Sequence, residues 1–257
     1  NRNLTYNKMS RAELEQLAGD FPVATMLMDL GLNSEESFVV RQVTPTAEEI
    51  AENGLTAEQI EKVSGGGIGG LFEIMQTASL EDWKAYLAAH FLIDHADVLP
   101  RRLDEATFEF YGKKLGGAEE QRERWKRAVS TVEGSVGEGV GKVYAERFFP
   151  SENKAAMDDL VENLRAAMAS NLDEIDWMGD DTKTEAHDKL AKFTPKIGYP
   201  ENFETYADLN VGPDAFANSM AVNDWAWKDM ISQLGQPIDK TEWFMLPQTA
   251  NAYYSPN

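Results

Sequence analysis

A mainly α-helical fold is what this sequence predicts, on three observations. Apolar residues recur at helical spacing over long stretches, most clearly Met157, Leu160, Leu164 and Met168. Helix-starting signatures, a Ser or Thr followed three residues later by an acid or amide, stand at Ser10/Glu13, Thr46/Glu49, Thr56/Gln59 and Ser79/Asp82. Strand-like alternation is confined to two short runs.

In chain order, Ser10-Arg-Ala-Glu13 opens a helix with Leu14, Leu17 and Ala18 on one face. Pro22 and the apolar run Val23-Ala-Thr-Met-Leu-Met28 predict a second short helix ending near Gly31, and Ser37-Phe-Val-Val-Arg41 predicts a short strand. Residues 44–70 are polar, contain two capped helix starts, and close on Ser64-Gly-Gly-Gly-Ile-Gly-Gly70; they read as a surface insertion with a flexible end. From Ser79 a stronger helix carries Leu80, Trp83, Leu87, Phe91 and Ile93, and Pro100 stops it. A short amphipathic segment covers 104–111, and a helix covers 119–132 with Glu119, Arg122, Glu123 and Lys126 on its charged face. Gly134, Gly137, Gly139 and Gly141 are expected to loosen the stretch after it.

Residues 151–177 form the longest predicted helix. Another spans 181–193, capped at Asp181 or Thr182 and stopped by Pro195 and Pro200. A last helix, 215–234, carries Phe216, Met220, Trp227 and Ile231. After Gly235-Gln-Pro237, the aromatic-rich run Trp243-Phe-Met-Leu-Pro-Gln-Thr-Ala-Asn-Ala-Tyr-Tyr254 reads as a strand. An apolar strand needs a neighbour, and no preceding run offers an obvious sheet, so the natural protein is expected to continue beyond this chain. The first residue, Asn1, is followed by no charged-then-apolar leader, so either a leader was removed or the chain begins inside a longer protein.

Composition narrows the function. With 257 residues, 42% of them hydrophobic, the chain can bury a real core. Its 24 basic and 44 acidic side chains give a formal charge of −20, which repels phosphate backbones and argues against nucleic acid and anionic membrane as partners. No apolar run approaches the roughly 20 residues that span a bilayer. The absence of cysteine excludes disulfides, thiolate zinc sites, iron–sulfur clusters and cysteine nucleophiles.

No active site is visible by spacing alone. A helix-borne zinc pair needs two His at i and i+4, whereas His90 and His95 are five apart, about 140° around a helix. They read as ordinary helix histidines, and His187, between charged neighbours, as part of a solvated face. Gly65-Gly-Gly67-Ile-Gly-Gly70 matches a dinucleotide fingerprint in letters but lacks the preceding strand. Gly137-Glu-Gly-Val-Gly-Lys142 has the wrong glycine spacing for a phosphate loop. The acidic clusters at 173–176 and 180–181 lack EF-hand spacing, and no serine sits in a nucleophile elbow.

A series of short segments, in order, carries more information. Thr5-Tyr-Asn-Lys-Met9 with Ser10-Arg-Ala-Glu-Leu14, Asp82-Trp-Lys-Ala-Tyr-Leu87, Phe108-Glu-Phe-Tyr-Gly112, Glu120-Gln-Arg-Glu-Arg-Trp125 and Gly141-Lys-Val-Tyr144 come first. Trp177-Met178, Thr182-Lys183, Pro195-Lys-Ile-Gly-Tyr-Pro200, Glu242-Trp243 and Ala250-Asn-Ala-Tyr-Tyr254 complete it. Together they resemble the neprilysin and endothelin-converting-enzyme family of zinc peptidases, over nearly the whole chain apart from 44–70.

The resemblance implies a two-lobed, mainly helical zinc endopeptidase, with a large helical lobe enclosing a cavity over a thermolysin-like catalytic lobe. On that pattern residues 1–212 correspond to the later part of the helical lobe, and 213–257 to the first helix and strand of the catalytic lobe. The family's zinc helix, its third ligand and its transition-state residues come after this chain ends, so zinc would be bound by residues C-terminal to it. The chain alone would be inactive, and its partners would be the remaining catalytic part of the same protein and peptide substrates. The family's habit implies an extracytoplasmic location. Carried over as substrate-binding residues are Asn251 and Ala252, which in the family hydrogen-bond the substrate backbone from a cleft strand, an action suited to a side-chain amide with both donor and acceptor. Tyr253 and Tyr254 read as packing residues. The competing expectation is a stand-alone, non-catalytic helical binding module, and a natural stop codon directly after Asn257 would favour it.

Overall fold

The computed structural model describes residues 6–41, 43, 46–52, 54, 56–59 and 67–255. It is mainly helical, and the chain divides into two compact units, Asn1–Ala96 and Asp97–Asn257.

In the first unit, β1 (Asn7–Ser10) pairs antiparallel with β2 (Ser37–Val40), Asn7 opposite Val40 and Ser10 opposite Ser37. The sequence signalled β2 but not its partner. Ser10 ends β1 and caps α1 (Arg11–Ala18) in a full capping box, its hydroxyl accepting from the Glu13 N–H while Glu13 accepts from the Ser10 N–H at 2.7 Å. After α2 (Val23–Asp29), the predicted second helix, Arg11 ties the turn down by donating to the carbonyls of Leu32, Asn33 and Glu35.

Both polar helix starts between 44 and 70 form. Thr46 and Glu49 cap α3 (Ala47–Glu52), and Thr56 and Gln59 exchange the same pair of bonds. The glycine run departs from expectation. Residues 64–66 lie outside the described residues, but α4 (Gly67–Thr77) begins inside the run, so Gly67–Gly70 are a helical turn and not a flexible end. Ile68, Phe72 and Met75, spaced four and three apart, pack on the cluster of Leu14, Ala18, Val23, Leu27 and Val40, and that burial outweighs the poor helix propensity of glycine. Phe21 stacks on Phe72 at 5.2 Å between ring centres. Next, α5 (Leu80–Asp94) is capped by Ser79 as predicted but ends at His95, before Pro100.

In the second unit Pro100 instead precedes α6 (Arg101–Thr107), which continues into a π-helical stretch, Phe108–Leu115. Gly112 permits this, since a β-carbon there would lie 2.4 Å from the Phe108 ring. The helix expected from 119 begins only at Arg124, as α7 (Arg124–Phe148). Asp104 ties down the residues before α7: it accepts from Gln121 at 2.9 Å, and its two oxygens accept from Arg127 Nη1 at 2.9 and 2.8 Å. The stretch bearing the four glycines is helical, and the loosening expected there is confined to a break between Gly134 and Gly137. All four lie within α7, whose one irregularity is Val136 (φ −132°, ψ 42°).

α8 (Ser151–Glu174) and α9 (Asp180–Lys192) pack together, the latter starting after Gly179 without the side-chain cap expected at Asp181 or Thr182. The stripe Met157, Leu160, Leu164 and Met168 lies exposed on α8. α10 (Ala215–Ser232), capped by Asp214, matches the predicted last helix. The segment 243–254, read as a strand, pairs with none: among the described residues no strand lies beside it, and turn bonds such as Thr249 N–H to Leu246 O at 2.9 Å shape it instead. No helix among the described residues is long and apolar enough to cross a membrane.

Candidate functional site

The segment bearing Asn251 and Ala252 is seated on α7 by small residues of that helix. Gly137, Gly141 and Ala145 recur every four residues and are buried on one face. Leu246 fills the space over Gly137, where a β-carbon would come within 2.5 Å of its methyl carbon, and the Pro247 ring lies over Gly141 at 2.6 Å from the same hypothetical atom. Gln248 completes the seat, its side-chain amide donating to Glu133 Oε1 at 3.2 Å and reaching the Gly137 carbonyl at 3.5 Å.

Aromatic contacts hold the rest. Lys196 donates to the Glu242 carbonyl and its ammonium lies 5.6 Å from the Phe244 ring centre. The Phe244 N–H donates to the Tyr253 hydroxyl at 3.5 Å, and the two rings meet edge to face. Tyr254 stacks on Phe193, with Lys189 over its face. Both tyrosines thus make ring contacts, as the sequence suggested, but stay exposed and bury no core.

Between these anchors Asn251 and Ala252 are exposed. The Asn251 N–H donates to the Thr249 carbonyl at 3.0 Å, and its Oδ1 accepts the Ala252 N–H at 2.8 Å. The Asn251 carboxamide thus shapes its own chain here, and the Asn251 and Ala252 N–H groups are both bonded within the segment.

The histidines are used locally. His95 ends α5 with its Nδ1 2.9 Å from the Phe91 carbonyl, the His90 ring sits 4.3 Å from the Tyr86 ring, and His187 Nε2 meets Asp173 Oδ1 at 2.9 Å. Among the described residues no three His, Asp or Glu side chains come together as metal ligands, so the residues present do not fit a zinc site.

The seat itself went unpredicted: Gly137, Gly141, Gln248, and Tyr206, whose hydroxyl accepts the Glu138 N–H at 3.3 Å. The four-residue recurrence of Gly137, Gly141 and Ala145 was the signal that could have found it.

The comparisons with known proteins agree with one another. Neprilysin-3 of Drosophila melanogaster is 34% identical over 152 residues, 56% of this chain and 19% of that protein. The neutral endopeptidase of Lactobacillus helveticus is 28% identical over 187 residues, 72% of this chain and 29% of that protein. The zinc metalloprotease Zmp1 of Mycobacterium tuberculosis, solved by cryo-electron microscopy in an open state, superposes with a TM-score of 0.79 at 33% identity, covering 100% of this chain and 37% of that one. The chain therefore spans under a third of these curated relatives and little more than a third of the solved one. The N-terminal model of peptidase family M13 matches residues 1–200, and with the whole chain following the fold of a solved zinc metalloprotease, this chain belongs to peptidase family M13.

Proposed function

We propose that this chain is part of a zinc-dependent endopeptidase that hydrolyses peptides within an enclosed cavity, and that it supplies the helical lobe together with a segment that binds the substrate backbone. The observation that carries this reading is the match of the whole chain to the Zmp1 zinc metalloprotease fold at 33% identity. Residues 1–212 would belong to the helical lobe and 213–257 to the start of the catalytic lobe. Since the described residues do not fit a zinc site, zinc would be held by residues C-terminal to this chain, and the chain alone would not hydrolyse peptides. An extracytoplasmic setting belongs to the same reading and rests on the family's habit.

In the proposed site Asn251 and Ala252 hydrogen-bond an extended peptide. An extended chain offers alternating N–H and C=O groups, and the exposed Asn251 carboxamide can answer both with its NH2 group and the second lone pair of its oxygen, the Ala252 N–H taking the first. Replacing Asn251 with Ala in the complete peptidase is expected to lower kcat/KM for a fluorogenic peptide by about 1–3 kcal/mol of transition-state binding. Unchanged kinetics would remove the assigned role. A complete reading frame ending at Asn257 would favour the stand-alone binding module.

A further inference from the structure

Helix α7 is interrupted at Val136, whose φ of −132° and ψ of 42° lie outside the helical region. An interruption frees backbone N–H groups just beyond it. One of these, on Glu138, donates to the Tyr206 hydroxyl at 3.3 Å, and the Glu138 carboxylate in turn accepts the Glu204 N–H at 2.8 Å. Tyr206 is the one non-glycine with positive φ among the described residues, at +49°. Such a backbone persists where surroundings over-determine it, and here the ring sits 5.0 Å from Trp225 and lies against Gly139.

The segment 246–248 straddles the same interruption. Glu133, which accepts from Gln248, precedes Val136; Gly137 and Gly141, which carry Leu246 and Pro247, come after it. Both sets of contacts are made at the angle the two halves of α7 adopt here, with Gln248 also reaching the Gly137 carbonyl across the break. Asn251 lies three residues beyond Gln248.

We infer that Tyr206 is a positioning residue: by clasping α7 at its interruption, it fixes the seat of Leu246, Pro247 and Gln248 and thereby the placement of Asn251 and Ala252. The consequence for peptides rests on the function proposed above; the coupling between Tyr206 and the segment does not.

The test compares wild type, Tyr206→Phe and Gly134→Ala by hydrogen–deuterium exchange of the 257-residue chain. Phe keeps the ring and removes only the acceptor, while Gly134 lies in the same helix with nothing within 4 Å of an added β-carbon. Tyr206→Phe is expected to speed exchange both in 136–142 and in 242–255, with Gly134→Ala speeding neither. Faster exchange in 136–142 alone, or in neither segment, overturns the inference. In the complete peptidase the same variant is expected to raise KM about threefold at unchanged kcat, the pattern of lost uniform binding. Where Asn251→Ala impairs the same enzyme, an unchanged KM or a fall in kcat alone in Tyr206→Phe also overturns it. An inert Asn251→Ala variant alongside coupled exchange would remove the peptide-binding reading and leave the coupling standing.

Discussion

The Cδ atom of Pro247 lies 2.6 Å from the point where a β-carbon would stand on Gly141. A proline ring joined to the backbone cannot rotate away as a flexible side chain can, so Gly141 is required by contact and not by conformational freedom. Gly137 faces the methyl carbons of Leu246 at 2.5 and 2.8 Å, which can adjust, and Gly134 faces open space.

The three glycines are therefore expected to respond to alanine in a graded way. Gly134→Ala should stabilise by about 0.5–1 kcal/mol, the ordinary helix-propensity gain. Gly141→Ala should destabilise by about 1–3 kcal/mol through overpacking, with Gly137→Ala between them. Urea unfolding of the three variants checks the order, and equal effects at Gly134 and Gly141 would rule out a tight seat.

Asp104 offers a second contrast. Its side chain is 13% exposed and Arg127's is 23%, and Asp104 also accepts from Gln121. Asp104→Ala strands two donors and is expected to cost about 1–3 kcal/mol. Asp188→Ala breaks the pair with Lys192, where both side chains are more than half exposed, and should cost far less. Similar losses in the two variants would contradict the role given to Asp104.

These contacts explain what could be read in advance. Ser10, Thr46, Thr56 and Ser79 signalled their helices because a cap and its partner lie three residues apart in sequence. The late start of α7 was hidden, since Asp104 acts on Gln121 and Arg127 from 17 and 23 residues away. The same holds for 243–254: its aromatic residues suggest a strand, yet its seat is built by glycines more than 100 residues earlier. Met157, Leu160, Leu164 and Met168 gave α8 its period correctly, but a period cannot say whether a partner covers the stripe. Asn251 and Ala252 stood out only through the family resemblance, because an exposed Asn-Ala pair has no chemical signature of its own.

At acid pH the first cap should give way before the fold does. Hydrogen bonds from the Ser10 backbone N–H and hydroxyl hold the Glu13 carboxyl below the usual carboxylate range. A depressed folded value contributes stability above the unfolded one, and that contribution is lost as pH falls through the folded value. The Ser10 amide resonance is expected to titrate below the ordinary Glu range, and Glu13→Gln to abolish the titration. A midpoint at the ordinary value would mean that the capping box is not populated in solution.

Alkaline pH tests the burial of Tyr206. Burial, helped by the nearby Glu138 and Glu204 carboxylates, pushes the phenol above its ordinary value, against the Glu138 and Gly139 N–H groups, which favour the phenolate. For a group whose folded value is raised, the contribution is complete below the unfolded value and disappears as pH rises through the folded one. Wild-type stability should therefore fall across that alkaline interval, and Tyr206→Phe should lose this part of the pH dependence while the other tyrosines still titrate. Tyrosinate absorbance followed beside thermal melts measures both. Identical alkaline profiles for wild type and Tyr206→Phe would show that the phenol is not buried against α7 in solution, because a solvated hydroxyl would titrate alike in the folded and unfolded chain.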